Sequence, residues 1–193
     1  MRNICYICLV ALSVLLTGCF GSPASVPEDR FYTLKINKPD NVATKYKNIA
    51  IEKVRAYGLY NERAMLYAKS ELPLQIKRYH YHHWVIPPTK MIQQGLKEYL
   101  DESQVASNVT SNSISRNTGL RVSVELLAFE RVISKSKQMV RVKLEFNVID
   151  AIGKQKTYQY YESVATDKNT LHAAAKAYGI ALSNVFKKLL KDL

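Results

Sequence analysis

The chain has 193 residues, with 28 Lys+Arg against 16 Asp+Glu and a formal net charge of +12. The length suits one domain with a real core, and the three cysteines all fall within the first nineteen residues, which excludes a disulfide framework in the body of the chain. A basic excess of this size points to nucleic acid, anionic lipid or an acidic protein surface, or simply to a well-solvated basic exterior.

The chain opens on Arg2, followed by an apolar run from Ile4 to Leu16 and then Leu16-Thr17-Gly18-Cys19. That run has the length of a secretory h-region and is short for a membrane span. Leu-Thr-Gly-Cys resembles the bacterial lipobox, in which the cysteine is acylated and becomes the first mature residue. The alternatives are a plain secretory leader with a chance cysteine, or a retained N-terminal anchor. On the lipobox reading residues 1–18 are a lipoprotein signal peptide and Cys19 is the lipidation site. Each buried methylene contributes about 0.8 kcal/mol, so two or three acyl chains hold a protein on a membrane. Phe20 follows the cysteine, and not the aspartate that commonly retains bacterial lipoproteins at the inner membrane. The expected address is therefore the periplasmic face of the outer membrane, in preference to the inner membrane. Cys5-Tyr6-Ile7-Cys8 sits inside the h-region and leaves with it, so a redox or metal reading of that pair fails. Only Arg2 leaves with residues 1–18, so 27 basic residues face 16 acidic ones in the remainder, a charge of +11. A periplasmic address argues against nucleic acid and favours lipid headgroups, lipopolysaccharide phosphates or an acidic protein.

Residues 19–30 form the lipidated cysteine and a flexible tether rich in Gly, Ser and Pro. Its last eleven residues reach about 36–40 Å fully extended. Residues 31–193 form the domain. Phe31 to Ile36 reads as a strand, and Asn48 to Val54 as another with Ile49, Ile51 and Val54 inward. Met65-Leu66-Tyr67 and Leu74-Gln75-Ile76 are fainter strands. Pro87-Pro88 opens a helix in which Met91, Ile92, Leu96, Tyr99 and Leu100 share one face, and Asp101-Glu102-Ser103 closes it. The Ser- and Asn-rich segment from Val105 to Thr118 holds a short strand and a loop.

From Leu120 the pattern strengthens. Leu120, Val122, Val124 and Leu126 alternate with polar residues, and Leu127 breaks the register, which predicts a bulge or twist. A polar turn at Ser134–Lys137 leads to alternation from Val140 to Val148. A turn at Ala151–Lys154 leads to a third strand through Tyr158, Tyr160, Glu162 and Val164. Three strands with short turns make an antiparallel meander with one wet face. A long helix follows over Lys168 to Lys191, with an apolar stripe from Leu171 to Leu190 and with His172, Lys176, Ser183, Lys187 and Lys191 off it. Gly179 in its middle costs about 1 kcal/mol against alanine, which argues for close packing there against the sheet. The expected fold is a single α+β domain, a mostly antiparallel sheet with two helices packed on one face.

The chain carries no phosphate-binding glycine loop, no Gly-x-Ser-x-Gly elbow and no His-Glu-x-x-His. No catalytic residue, cofactor or metal site is assigned. One cluster invites weighing: Tyr79-His80-Tyr81-His82-His83-Trp84. On a strand, His80 and His82 share a face and His83 takes the other. Two imidazoles on one face are the start of a zinc or copper site. The plainer reading is an aromatic strand-to-helix connection with Trp84 in the core and the histidines at its rim. The thirteen tyrosines likewise suit either an ordinary sheet face or a partner surface.

The order of these features resembles the ABC-type transport auxiliary lipoproteins, the PqiC-like family. The resemblance rests on the lipobox, the proline-containing linker, Phe31-Tyr32-Thr33-Leu34, Ile49-Ala50-Ile51 and Tyr60-Asn61-Glu62-Arg63-Ala64-Met65-Leu66. It continues through His83-Trp84 before Pro87, Arg121-Val122-Ser123-Val124, the hairpin with Gly153 and the last helix. The prolines and leucine usual near Tyr60 are missing. The resemblance implies a non-enzymatic accessory lipoprotein of an MCE-type (mammalian cell entry) lipid-transport system. Its implied partners are a periplasmic MCE protein and an ABC permease and ATPase, with a ring of protomers as an option. An envelope-assembly or cell-wall-synthesis regulatory lipoprotein is the second reading. A periplasmic metal- or ligand-binding protein using His80 to His83 is the third.

Overall fold

The computed structural model describes residues 27–111 and 119–193. The leader, Cys19, most of the tether and residues 112–118 lie outside the described residues.

The strand that organises the sheet is β7 (Leu120–Ile133). One of its edges pairs antiparallel with β8 (Gln138–Ile149), which pairs antiparallel with β9 (Gln155–Ala165). This is the expected meander. Leu120, Val122, Val124 and Leu126 are buried, as are Val140, Val142, Leu144, Phe146 and Val148 opposite them. The bulge falls at Leu127: Leu126 faces Leu144, whereas Ala128 faces Lys143. The extra residue swaps the faces, so that Phe129, opposite Val142, returns to the apolar side. Local hydrogen bonds close both hairpins. The Ser134 hydroxyl accepts the Lys137 N–H, and one Asp150 carboxylate oxygen accepts the N–H groups of Ile152 and Lys154.

The other edge of β7 is covered by three short segments in succession, all parallel to it. β2 (Tyr46–Ile51) lies against Leu120–Val122, β3 (Arg55–Ala56) against Glu125 and Leu126, and β4 (Ala64–Lys69) against Arg131–Ile133. Together they act as one interrupted strand, from which residues 57–63 loop out through a 3-10 turn at Gly58–Asn61. β6 (Ala106–Thr110) adds parallel to β2. β5 (Leu72–Trp84) folds back antiparallel on β4, and β1 (Arg30–Tyr32) lies parallel on the end of β5. The fold is α+β in a single domain around a mixed sheet of nine strands. Its long pairings are antiparallel, and short parallel ones join segments far apart in the chain.

The helix α1 (Pro88–Glu102) buries Met91, Ile92, Leu96, Tyr99 and Leu100. α2 (Leu171–Asp192) begins at Thr170, whose hydroxyl accepts the Ala173 N–H as an N-cap. Trp84 is buried where the layers meet, with its ring 5.5 Å from Phe129 and 5.4 Å from Tyr178.

Corrections fall at the first strand with its packing on the helices and at the histidine cluster. The strand expected over Phe31–Ile36 ends at Tyr32, and the next five residues form an extended strap over both helices. The Ile36 side chain occupies the space above Gly95 of α1, and the Lys35 carbonyl lies against Gly179 of α2. The close approach at Gly179 is thus to this strap and not to a sheet strand. The Asn37 N–H donates to the Ser183 hydroxyl at 2.8 Å, and that hydroxyl donates to the Gly179 carbonyl at 2.7 Å. Ser183, read as lying off the apolar stripe, is accordingly buried. The second correction concerns the histidine cluster. β5 continues as strand through Trp84, so His80 to His83 lie on a ladder and the connection to α1 is left to residues 85–87, while Trp84 is in the core with His82 and His83 half-buried beside it, as the plainer reading expects.

Candidate functional site

The chain enters the domain at β1, and the histidine segment receives it. Arg30, Phe31 and Tyr32 pair with His82, His83 and Trp84. The Tyr32 hydroxyl lies 3.0 Å from His82 Nδ1, and Asp29 Oδ1 lies 3.4 Å from His83 Nε2. Burial first, then the charges of Arg30 and His83, holds His82 below the usual imidazole range. Phe31 is half exposed and carries the Arg63 guanidinium over its ring at 5.5 Å. Arg63 also ties this corner down, since its Nε donates to the Trp84 carbonyl and its own carbonyl accepts the Trp84 N–H. His82 and His83 thus hold the entering strand, while His80 is exposed. Among the described residues no group of three or more His, Cys, Asp or Glu is arranged to hold a metal ion. Cys19, the expected lipidation site, lies outside the described residues.

Behind this corner is a buried polar network that the sequence pattern did not single out. Glu130 is buried and faces Arg141 across the β7–β8 ladder, with Arg141 Nη1 at 3.1 Å from its carboxylate. The Tyr60 hydroxyl, carried in by the loop between β3 and β4, donates to the same carboxylate at 3.0 Å. Burial pushes the Glu130 carboxyl above the usual carboxylate range, against the pull of Tyr60 and Arg141. Burial, then the neighbouring carboxylate, likewise pushes the Tyr60 phenol well up. The next residue, Arg131, points the other way. Its guanidinium donates to the Tyr79 hydroxyl at 3.0 Å and to the Asn169 side chain just before α2. The sequence signal for both is a charged pair inside an apolar strand, three residues past the bulge at Leu127. Both atoms of the Glu130 carboxylate are taken by neighbours from this chain, an arrangement that positions a loop. Tyr60, in the segment quoted for the family resemblance, is the residue that this network holds.

Among the described residues no helix is long and apolar enough to cross a membrane. A comparison with curated proteins finds no match. Among solved structures, protein XCC0632 from Xanthomonas campestris, of family DUF330, superposes with a TM-score of 0.72 at 15% identity, covering 83% of this chain and 92% of that one. An uncharacterised protein superposes with a TM-score of 0.71 at 14% identity, covering 86% and 99%. At such identities the likeness shows a shared fold. The family described as ABC-type transport auxiliary lipoprotein component matches residues 32–189, from the last residue of β1 to the last turn of α2. With four-fifths of its length covered, the chain belongs to the ABC-type transport auxiliary lipoprotein component family.

Proposed function

We propose that this protein is a non-enzymatic lipoprotein, anchored through acylated Cys19 at the periplasmic face of the outer membrane. There it docks the far end of an MCE-type lipid-transport system, whose ABC permease and ATPase sit in the inner membrane. The observation that carries this reading is the family match over residues 32–189 together with Leu16-Thr17-Gly18-Cys19 upstream of it. The corner that receives the tether supports it: the conspicuous histidines serve the entry of the chain, and the most buried carboxylate is occupied by Tyr60 and Arg141. The test is crosslinking in intact cells followed by pull-down of the acylated protein from membranes. Recovery of an MCE protein or its permease and ATPase is the expected result. Repeated recovery of cell-wall synthesis enzymes instead would move the protein to envelope regulation.

A further inference from the structure

One end of the sheet carries an unusual combination of side chains. The β4–β5 hairpin tip presents Leu72 at 53% and Leu74 at 98% exposure. Lys69 and Lys77 flank it on the same hairpin, both exposed. The neighbouring β7–β8 turn adds exposed Lys135 and Lys137, because β4 pairs with the end of β7 and the Ser70 N–H donates to the Ile133 carbonyl. Glu71 is the acid within the tip. Projecting leucines ringed by lysines suit a lipid interface, where apolar tips enter the headgroup region and lysine stems carry their charges to phosphates.

The direction of β1 links this end to the anchor. β1 runs parallel to β5 with Arg30 beside His82, so the chain enters β1 from the Leu72 end of β5. Leu74 stands eight residues back along β5 from His82, at most about 26 Å at strand rise and less where the two irregularities in the β4–β5 register shorten the strand. Arg30 lies eleven positions after Cys19, a reach of at most about 36–40 Å. A domain held at Cys19 can therefore rest its hairpin tip on the leaflet that holds the acyl chains. We propose that this end of the sheet is a second membrane contact, seating Leu72 and Leu74 at an anionic leaflet with the four lysines on its phosphates. The proposal rests on acylation of Cys19. It fixes the orientation of the domain, with the β8–β9 turn turned away from the membrane.

The test places an environment-sensitive NBD label at Leu74→Cys or, as control, at Ile152→Cys, which is 88% exposed in the β8–β9 turn. The acylated full chain is reconstituted into phosphatidylethanolamine vesicles containing phosphatidylglycerol. Flotation reports the anchor, and emission reports the hairpin. The expected result is a blue-shifted label at position 74 and a water-like label at 152, with the shift reduced by Lys69→Glu plus Lys135→Glu. A floated protein whose label at 74 stays water-like overturns the proposal and leaves the anchor standing. An equal shift on pure phosphatidylcholine overturns the assignment to anionic headgroups. Failure of the protein to float overturns anchor and proposal together.

Discussion

The carbonyl oxygen of Lys35 lies 2.1 Å from the point where a β-carbon on Gly179 would stand. The strap and α2 therefore touch backbone to backbone, which only glycine permits. Gly179→Ala gains about 1 kcal/mol in helix propensity. It also forces the strap away from the helix, an overpacking cost of about 1–3 kcal/mol or more. The Asn37–Ser183 hydrogen bond sits on the same turn and is weakened with it. The expected net result is a melting temperature lower by several degrees, read by circular dichroism. An unchanged or higher value would show that the strap is not seated on the helix.

Gly95 makes the instructive contrast. There the added β-carbon would meet Ile36 Cδ1 at 2.2 Å, the tip of a side chain able to turn aside. Gly95→Ala is expected to cost less than Gly179→Ala in the same melting experiment, because the helix gain of about 1 kcal/mol offsets the rearrangement. Ile36→Val removes Cδ1 and restores room, so the double variant should melt above the Gly95→Ala single. If the double variant melts lower, the contact is not the source of the cost.

Glu130 gives a pH dependence opposite in sign to that of a salt-bridged surface carboxylate. Its folded pKa is raised by burial, so the protonated form is the one the fold favours. Its contribution to stability is full below the unfolded value of about 4.3 and is lost as pH rises through the folded value. Glu130→Gln removes that dependence. Urea unfolding at pH 4 and pH 7 should find the variant faring better, relative to the parent, at pH 7. A gap that narrows toward pH 4 instead would show that the ion pair with Arg141 outweighs desolvation. Tyr60→Phe strips a hydrogen bond from a buried carboxylate, worth about 1.5–3 kcal/mol, with the greater loss expected at pH 7.

Cys19→Ala tests the anchor without touching the core. The described domain begins its packed contacts at β1, eleven residues downstream, so melting should be unchanged. Membrane fractionation should shift the protein to the soluble fraction, and intact mass should lose the acyl increment. Quantitative retention in membranes would mean that another segment holds it.

Where one period dominates, the fold was legible from the residues. α1 shows its buried stripe at helical spacing, and β7 to β9 alternate cleanly, down to the bulge at Leu127. β5 was faint because most of its residues are exposed, which leaves no in-out alternation between Leu72 and Tyr81. The strap reads as strand because Leu34 and Ile36 alternate as strand residues do, yet Ile36 packs on Gly95 of α1 and Leu34 packs against the core without a ladder partner. The parallel pairings of β2, β3 and β4 with β7 were illegible, since their registers join residues tens of positions apart. The Tyr60–Glu130–Arg141 network was hidden for the same reason: its three members come from a loop and two strands.

The place where the chain enters the domain also decides how the molecule answers a pull. On the proposed anchoring through Cys19, tension between a partner and the membrane would arrive at Arg30 and run along β1. The rungs between β1 and β5 stand across that direction, so they are loaded in shear together and do not unzip one at a time. Beyond them the Asn37 amide, latched to Ser183, passes the remaining force into α2. The domain is thus gripped at its entrance in the manner of a cleated rope.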